Sequence, residues 1–216
     1  MKIVDLSHPV VTGMQVYPGD PLVEVAPSLT VERDRVNVLS VHIGSQSGTH
    51  VDAPFHVDND LPRLSALNLN LFVGRGVVVD ATGLSDREQI PDERFLTVDF
   101  SGVSIVAVRT DWSQYYGTTR YFAHPFPSRL SLQHLLDCGI RTIALDFLSL
   151  DRTPEEGAED FTLENHYLWS NRGGVIAENL RNLESVIERA PHFSILPLNL
   201  GDSDGAPIRA VAYWAQ

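Results

Sequence analysis

Apolar residues along this chain come in short runs separated by turn-forming residues, a pattern of many strands and few helices. The runs at 76–81 and 103–108 are nearly continuous, as in strands buried on both faces. Residues 2–6 and 22–26 read as further strands, and 36–43 as a half-buried one with Leu39, Val41 and Ile43 on one face. Residues 140–147, 175–177, 193–200 and 208–214 complete the expected strands. Helical expectations are fewer. A short helix is expected over 64–72, although its apolar spacing is ambiguous, and a helix start at 90–95, where Pro91 and the acids Asp92 and Glu93 suit a first turn. Residues 131–139 read as a helix closed by Gly139, 163–169 as one broken by Gly173-Gly174, and 180–187 as the last. Tyr17-Pro18-Gly19-Asp20-Pro21 is a turn, residues 115–127 a long loop and the acidic stretch 152–162 an exposed loop. No repeat or linker divides the chain, so the pattern predicts one mixed α/β domain over 1–216, with more strand than helix.

Composition narrows the function classes. The 216 residues are 43% hydrophobic and 20% charged, enough for a sizeable core and unlike a disordered chain. A net charge of −12 with no basic stripe argues against nucleic acid and anionic membrane surfaces as partners. No apolar run approaches the roughly 20 residues that cross a bilayer, and no signal pattern opens the chain, so the expected location is cytoplasmic. Cys138 is the single cysteine, which excludes an internal disulfide and a cysteine-based zinc site; its apolar neighbours suggest a buried structural thiol.

The chemistry concentrates in Gln46-Ser47-Gly48-Thr49-His50-Val51-Asp52-Ala53-Pro54-Phe55-His56. In an extended segment His50 and Asp52 point to the same side, and Pro54 then turns the chain before His56. An imidazole beside a carboxylate with a second imidazole nearby suits a divalent metal with an adjacent proton-transfer group. The same residues would also make a polar loop whose histidines satisfy backbone groups. Candidates to complete a metal set are His166 and Glu178, on either side of Gly173-Gly174.

This stretch resembles the His-x-Gly-Thr-His-x-Asp-x-Pro-x-His signature of the metal-dependent cyclase family, which includes bacterial kynurenine formamidase and isatin hydrolase. It differs only at the first position, where Gln46 replaces histidine. Val4-Asp5-Leu6-Ser7, Tyr17-Pro18-Gly19-Asp20, Gly139 to Asp151 and Ala177-Glu178-Asn179-Leu180 extend the resemblance over nearly the whole chain. The resemblance implies the family's swivelling β/β/α fold, with a strand-rich core and a few peripheral helices. It implies His50 on one metal, Asp52 able to bridge two, His166 and Glu178 on the second, and His56 as general acid/base. The implied cofactor is one or two divalent ions per chain, zinc or manganese. The implied reaction is hydrolysis of an amide-type C–N bond (formamide, lactam or cyclic imide) in a small substrate, aromatic ones included. Tyr17 stands where the formamidases place a tryptophan against the substrate, and the family implies a homodimer or larger even assembly.

Gln46 keeps alternatives open. An amide oxygen is a harder, weaker donor than imidazole, so it could leave one tight site, favour a harder ion such as manganese, or contact substrate instead. A metal-containing binder without turnover, or a lyase or cyclase on the same site, would share these residues. His8, His42, His134 and His192 are given structural readings, and His124 is expected to face solvent, with a substrate-facing role as the alternative. Trp112, Tyr115 and Tyr116 are expected to pack rather than line a pocket. Asp146 and Asp151 could either orient metal ligands or cap strand ends.

Overall fold

The nearly continuous apolar runs lie side by side at the centre of a single large sheet. In the computed structural model residues 1–155 and 162–215 are described; most of the expected acidic loop at 152–162 lies outside them. Nine strands form the sheet: β1 (Lys2–Asp5), β2 (His50–Asp52), β3 (Val73–Asp80), β4 (Ile105–Arg109), β5 (Thr142–Leu145), β6 (Val175–Glu178), β7 (His192–Ser194), β8 (Gly205–Pro207) and β9 (Val211–Trp214). Their spatial order is β1-β9-β7-β3-β4-β5-β6-β2-β8. The middle four, β3 to β6, run parallel, and every other pairing is antiparallel.

Parallel strands are covered on both faces, which explains why Ile105 to Val108 of β4 and Ile143 to Leu145 of β5 are apolar without alternation. Val106, Val108, Ile143, Leu145 and Ile176 point to one face. There they pack against Leu132 and Leu135 of helix α1 (Arg129–Asp137) and Trp169 of helix α2 (Glu164–Ser170). Ile105, Ala107, Ala144, Val175 and Ala177 point to the other face, onto Leu6, Phe72, Phe193, Ile195 and Ala210. The sheet curls enough for the segment after β1 to meet the segment after β6: Ser7 bridges Leu180, and the Arg181 N–H donates to Leu6 O at 3.0 Å. Gly174 permits the close seat of α2 against β6. A Cβ there would lie 2.4 Å from the Trp169 indole nitrogen, which itself donates to Val175 O at 3.0 Å.

Several expectations are corrected. The strand expected over 36–43 exists as Val38–His42, paired with Glu24–Leu29, but it is exposed throughout rather than half-buried, with Leu39 60% and Val41 52% accessible. Periodicity reports an apolar face, not what covers it. Residues 180–187 form no α-helix: Asn179 and Asn182 have φ of 59° and 61°, and only Leu183–Ser185 makes a 3-10 turn. Leu180, Leu183 and Val186 are nevertheless buried, so helical spacing arose from a loop pressed onto the core. Residues 64–72 hold two 3-10 turns. Ile90 sits in a two-residue strand ahead of a single helical turn, Glu93–Leu96. Of 193–200 only Phe193 and Ser194 join the sheet, in the strand His192–Ser194. Cys138 is exposed at the end of α1 rather than buried. Among the described residues no helix is long and apolar enough to cross a membrane.

Candidate metal and active site

Strand register brings the first candidates together. β2 pairs antiparallel with β6 so that His50 lies opposite Glu178. Directly opposed residues share a face, and Asp52 is two positions from His50, so all three side chains project the same way. His50, Asp52 and Glu178 are buried and form a group that could hold a metal ion. His50 Nε2 lies 3.4 Å from Asp52 Oδ1 and 3.6 Å from Glu178 Oε2. His166 arrives from α2, with Nε2 3.8 Å from Asp52 Oδ2 and 3.5 Å from Glu178 Oε1. Each carboxylate thus turns one oxygen to His50 and the other to His166.

The supporting contacts fix which nitrogens face inward. His50 Nδ1 donates to Gly48 O at 2.8 Å, leaving the Nε2 lone pair for the group. His166 Nδ1 donates to Asp151 Oδ2 at 2.6 Å, with the same result. Asp151 also accepts the backbone N–H of Asn165 at 2.8 Å and of His166 at 3.0 Å, so it caps the start of α2 while orienting its histidine. The neighbouring Leu150 N–H holds Glu178 Oε1 at 3.0 Å. Asp151 thus orients His166. Asp146 instead accepts from Thr110 and the Asp111 N–H at the end of β4.

Electrostatics favour a bound cation. Asp52 Oδ1 is buried with no hydrogen-bond partner, a costly arrangement unless a positive group completes it. Burial works against the His50 imidazolium, yet Asp52 and Glu178 outweigh it and push His50 up to about 10. Burial likewise opposes a charged His166, and Asp151, Asp52 and Glu178 raise it well above the usual imidazole range. Burial would raise Asp52, but His166 and His50 hold it far below the usual carboxylate range. The protons drawn onto the histidines occupy the place of a cation. Ligand atoms bonded at about 2.1 Å in a tetrahedron stand roughly 3.4 Å apart, close to the 3.4 and 3.6 Å that separate His50 Nε2 from Asp52 and Glu178. The residues present therefore fit a divalent metal.

The group forms the floor of a cavity of about 510 Å³, lined also by Tyr17, Asp20, Gln46, His56, Leu148, Leu163 and Asn179, and by no lysine or arginine among its described residues. The turn expected at Pro54 is a 3-10 turn, Pro54–His56, which swings His56 to the mouth of the cavity with 31% of its side chain exposed. Burial lowers His56 and Asp204 raises it, the second effect winning. Tyr17 lies in the cavity wall, and burial, followed by the Glu178 charge, keeps its phenol protonated above the ordinary range.

Gln46 does not present its nitrogen to the metal group. Nε2 donates to Asp204 Oδ2 at 2.8 Å and lies 3.2 Å from His56 Nδ1, while Oε1 is buried without a partner. Sequence reasoning missed Asp204 and Asp20, both beside the site. Asp20 was visible as part of a turn and of the Tyr17-Pro18-Gly19-Asp20 resemblance but without a role, and Asp204 sits in the polar 201–205 stretch that no strand or helix signal marked. His124, expected in solvent, is 1% exposed. Its Nδ1 donates to Pro125 O at 2.8 Å, its Nε2 meets the Thr153 hydroxyl at 2.9 Å, and its ring stacks on Phe147. Trp112 is buried in the core and Tyr116 stacks on His8, as their packing roles require.

A family model described as "Putative cyclase" matches residues 4–152, more than half of the sequence. The chain belongs to the cyclase family. Among its relatives in that family, kynurenine formamidase from Bacillus mycoides is 31% identical over 211 residues, covering 96% of this chain and 95% of its own. Two solved structures share the cyclase-family fold. An isatin hydrolase bound to the product analogue thioisatinate superposes with a TM-score of 0.84 at 20% identity, covering 98% of this chain and 91% of its own. Isatin hydrolase A from Labrenzia aggregata, bound to benzyl benzoate, gives 0.83 at 21% identity, covering 98% and 93%.

Proposed function

We propose that this cyclase-family chain is a metal-dependent hydrolase of an amide-type C–N bond in a small, aryl-bearing substrate, in the manner of an arylformamidase. The buried group of His50, Asp52 and Glu178, with His166 against the other oxygen of each carboxylate, carries the reading. Those four residues would hold zinc or manganese. They would serve one ion or two, and Gln46 would offer its Oε1 to a hard ion. A bound divalent ion supplies carbonyl polarisation and a water acidic enough to act near neutral pH.

The chain's own residues do the rest. His56, at the cavity mouth, accepts a proton as the nucleophile forms and returns one to the departing nitrogen at its inward ring nitrogen. Tyr17, Leu148 and Leu163 give the cavity an apolar wall for a planar ring, and its volume falls in the range of small-molecule sites. The aryl formamide kynurenine formamidase substrate class and isatin-like lactams both fit this chemistry. The assay is turnover of N-formylkynurenine, other aryl formamides, cyclic imides and isatin by the purified protein with zinc and with manganese. His56→Ala should cost on the order of 10²–10⁴ in rate. Full activity after exhaustive chelation would sink the proposal.

The exposed hairpin supports a homodimer. A lone two-stranded hairpin is marginal in water, and Val38, Leu39 and Val41 stand uncovered on this one, so we assign a second copy of the chain to it. The exposed thiol of Cys138 fits the reducing cytoplasm. Light scattering tests the first and fractionation the second.

A further inference from the structure

We propose that Asp204 is the positioning residue for His56, holding its Nδ1 proton so that the Nε2 lone pair faces the cavity. The inference rests on the hydrolase reading for its kinetic consequence, but its geometry stands independently. His56 Nδ1 lies 3.4 Å from Asp204 Oδ2. The same oxygen accepts Gln46 Nε2 at 2.8 Å and the Ser45 hydroxyl at 3.1 Å. Two neutral donors therefore anchor one carboxylate oxygen, and the imidazole closes the set as the third.

The anchoring is built into the backbone. Asp204 O accepts the Ala53 N–H at 2.8 Å, which ties the aspartate to the turn that delivers His56. The next residue, Gly205, lies opposite Asp52 in β8, where a Cβ would stand 2.7 Å from Gln46 Nε2. A side chain at Gly205 would thus displace the amide that holds the carboxylate. Gln46, the departure from the family signature, so acquires a role through its nitrogen.

Gln46 Nε2 is also 3.2 Å from His56 Nδ1, and an amide hydrogen donated there would place the histidine proton on Nε2. A ring protonated at Nε2 has no lone pair to accept a proton from the cavity. The amide makes its shorter contact to Asp204, and an imidazole N–H to a carboxylate is the stronger, charge-assisted bond. The Nδ1–H form follows, with Asp204 stabilising the imidazolium that appears when Nε2 takes a proton.

The experiment is long-range 1H–15N spectroscopy of the zinc-loaded protein, with His56→Gln assigning the signal, alongside zinc content and steady-state kinetics on an aryl formamide. The wild type should show His56 as the Nδ1–H tautomer. Asp204→Ala should shift it toward Nε2–H, leave zinc content unchanged, and lower kcat about 10²–10³-fold with KM within about threefold. Asp204→Asn should restore the tautomer and at least about tenfold of kcat, because Ser45 and Gln46 fix its amide oxygen where Oδ2 stood. An Nε2–H tautomer in the wild type, or an Asp204→Ala protein with unchanged tautomer, overturns the inference. If the wild type turns over no formamide or lactam, the hydrolase reading fails while the tautomer measurement still decides the role of Asp204.

Discussion

Asp151 is the residue at which the fold and the metal group can be separated by substitution. Its carboxylate takes three buried N–H groups: His166 Nδ1 at 2.6 Å and the backbone of Asn165 and His166 at 2.8 and 3.0 Å. Asp151→Ala orphans all three. Losing a helix cap costs about 0.5–2 kcal/mol, and losing a hydrogen bond to a charged group about 1.5–3 kcal/mol. Together they predict a loss of about 2–5 kcal/mol, a large part of the about 5–15 kcal/mol that stabilises a typical domain. The second consequence is chemical. With Asp151 gone the His166 ring is no longer held with Nε2 toward Asp52 and Glu178, and metal affinity should fall about 10–100-fold.

Asp151→Asn separates the two effects. One amide oxygen at the Oδ2 position keeps both His166 contacts, so only the Asn165 N–H loses its acceptor. We expect a loss of about 1–2 kcal/mol and at most about a tenfold loss of affinity. Urea unfolding of the metal-free proteins reads the stability, and zinc competition with a chromophoric chelator reads the affinity. Wild-type zinc affinity in a folded Asp151→Ala protein would show that His166 is not oriented as argued, or does not bind the ion.

The remaining predictions address pH, packing, association and the metal itself. Burial, opposed mainly by the bond to Pro125 O, lowers His124 from 6.5 to about 4. Between those values the unfolded chain binds a proton that the folded one refuses, so stability falls on acidification by up to about 1.4 kcal/mol per pH unit and levels off below pH 4; urea midpoints of His124→Gln should lose that component of the slope. Gly174→Ala drives a methyl into the Trp169 indole and should cost about 1–3 kcal/mol, seen as a lowered melting temperature. Leu39→Asp, at a site 60% exposed, should leave the monomer's fold intact by circular dichroism while shifting light scattering from dimer to monomer. Removing metal should abolish turnover and lower the melting temperature, because an ion bound only by the folded chain stabilises it by mass action; an unchanged melting curve would argue against the site.

Legibility followed the range of the interactions. The central parallel strands could be read because burial on both faces demands consecutive apolar residues, a purely local signature. His50, Asp52 and His56 could be read for the same reason: strand alternation and a proline turn act within seven residues. His166 and Glu178 could be named as candidates, but only the resemblance joined them to that cluster, since nothing local links α2 and β6 to β2. The register that sets Glu178 opposite His50, the seat of Trp169 on Gly174, and Asp151 as both cap and orienter are tertiary facts. So are the burial of His124 and the exposure of Leu39, where one composition of neighbours served opposite environments.

The sequence by itself determined which residues are equipped for metal and proton chemistry, because donor type and strand alternation are properties of the chain. The tertiary structure decided which of them meet, and which nitrogen of each imidazole faces inward. Those outcomes depend on partners contributed from distant segments: Gly48 O for His50, Asp151 for His166, Asp204 for His56 and Gln46.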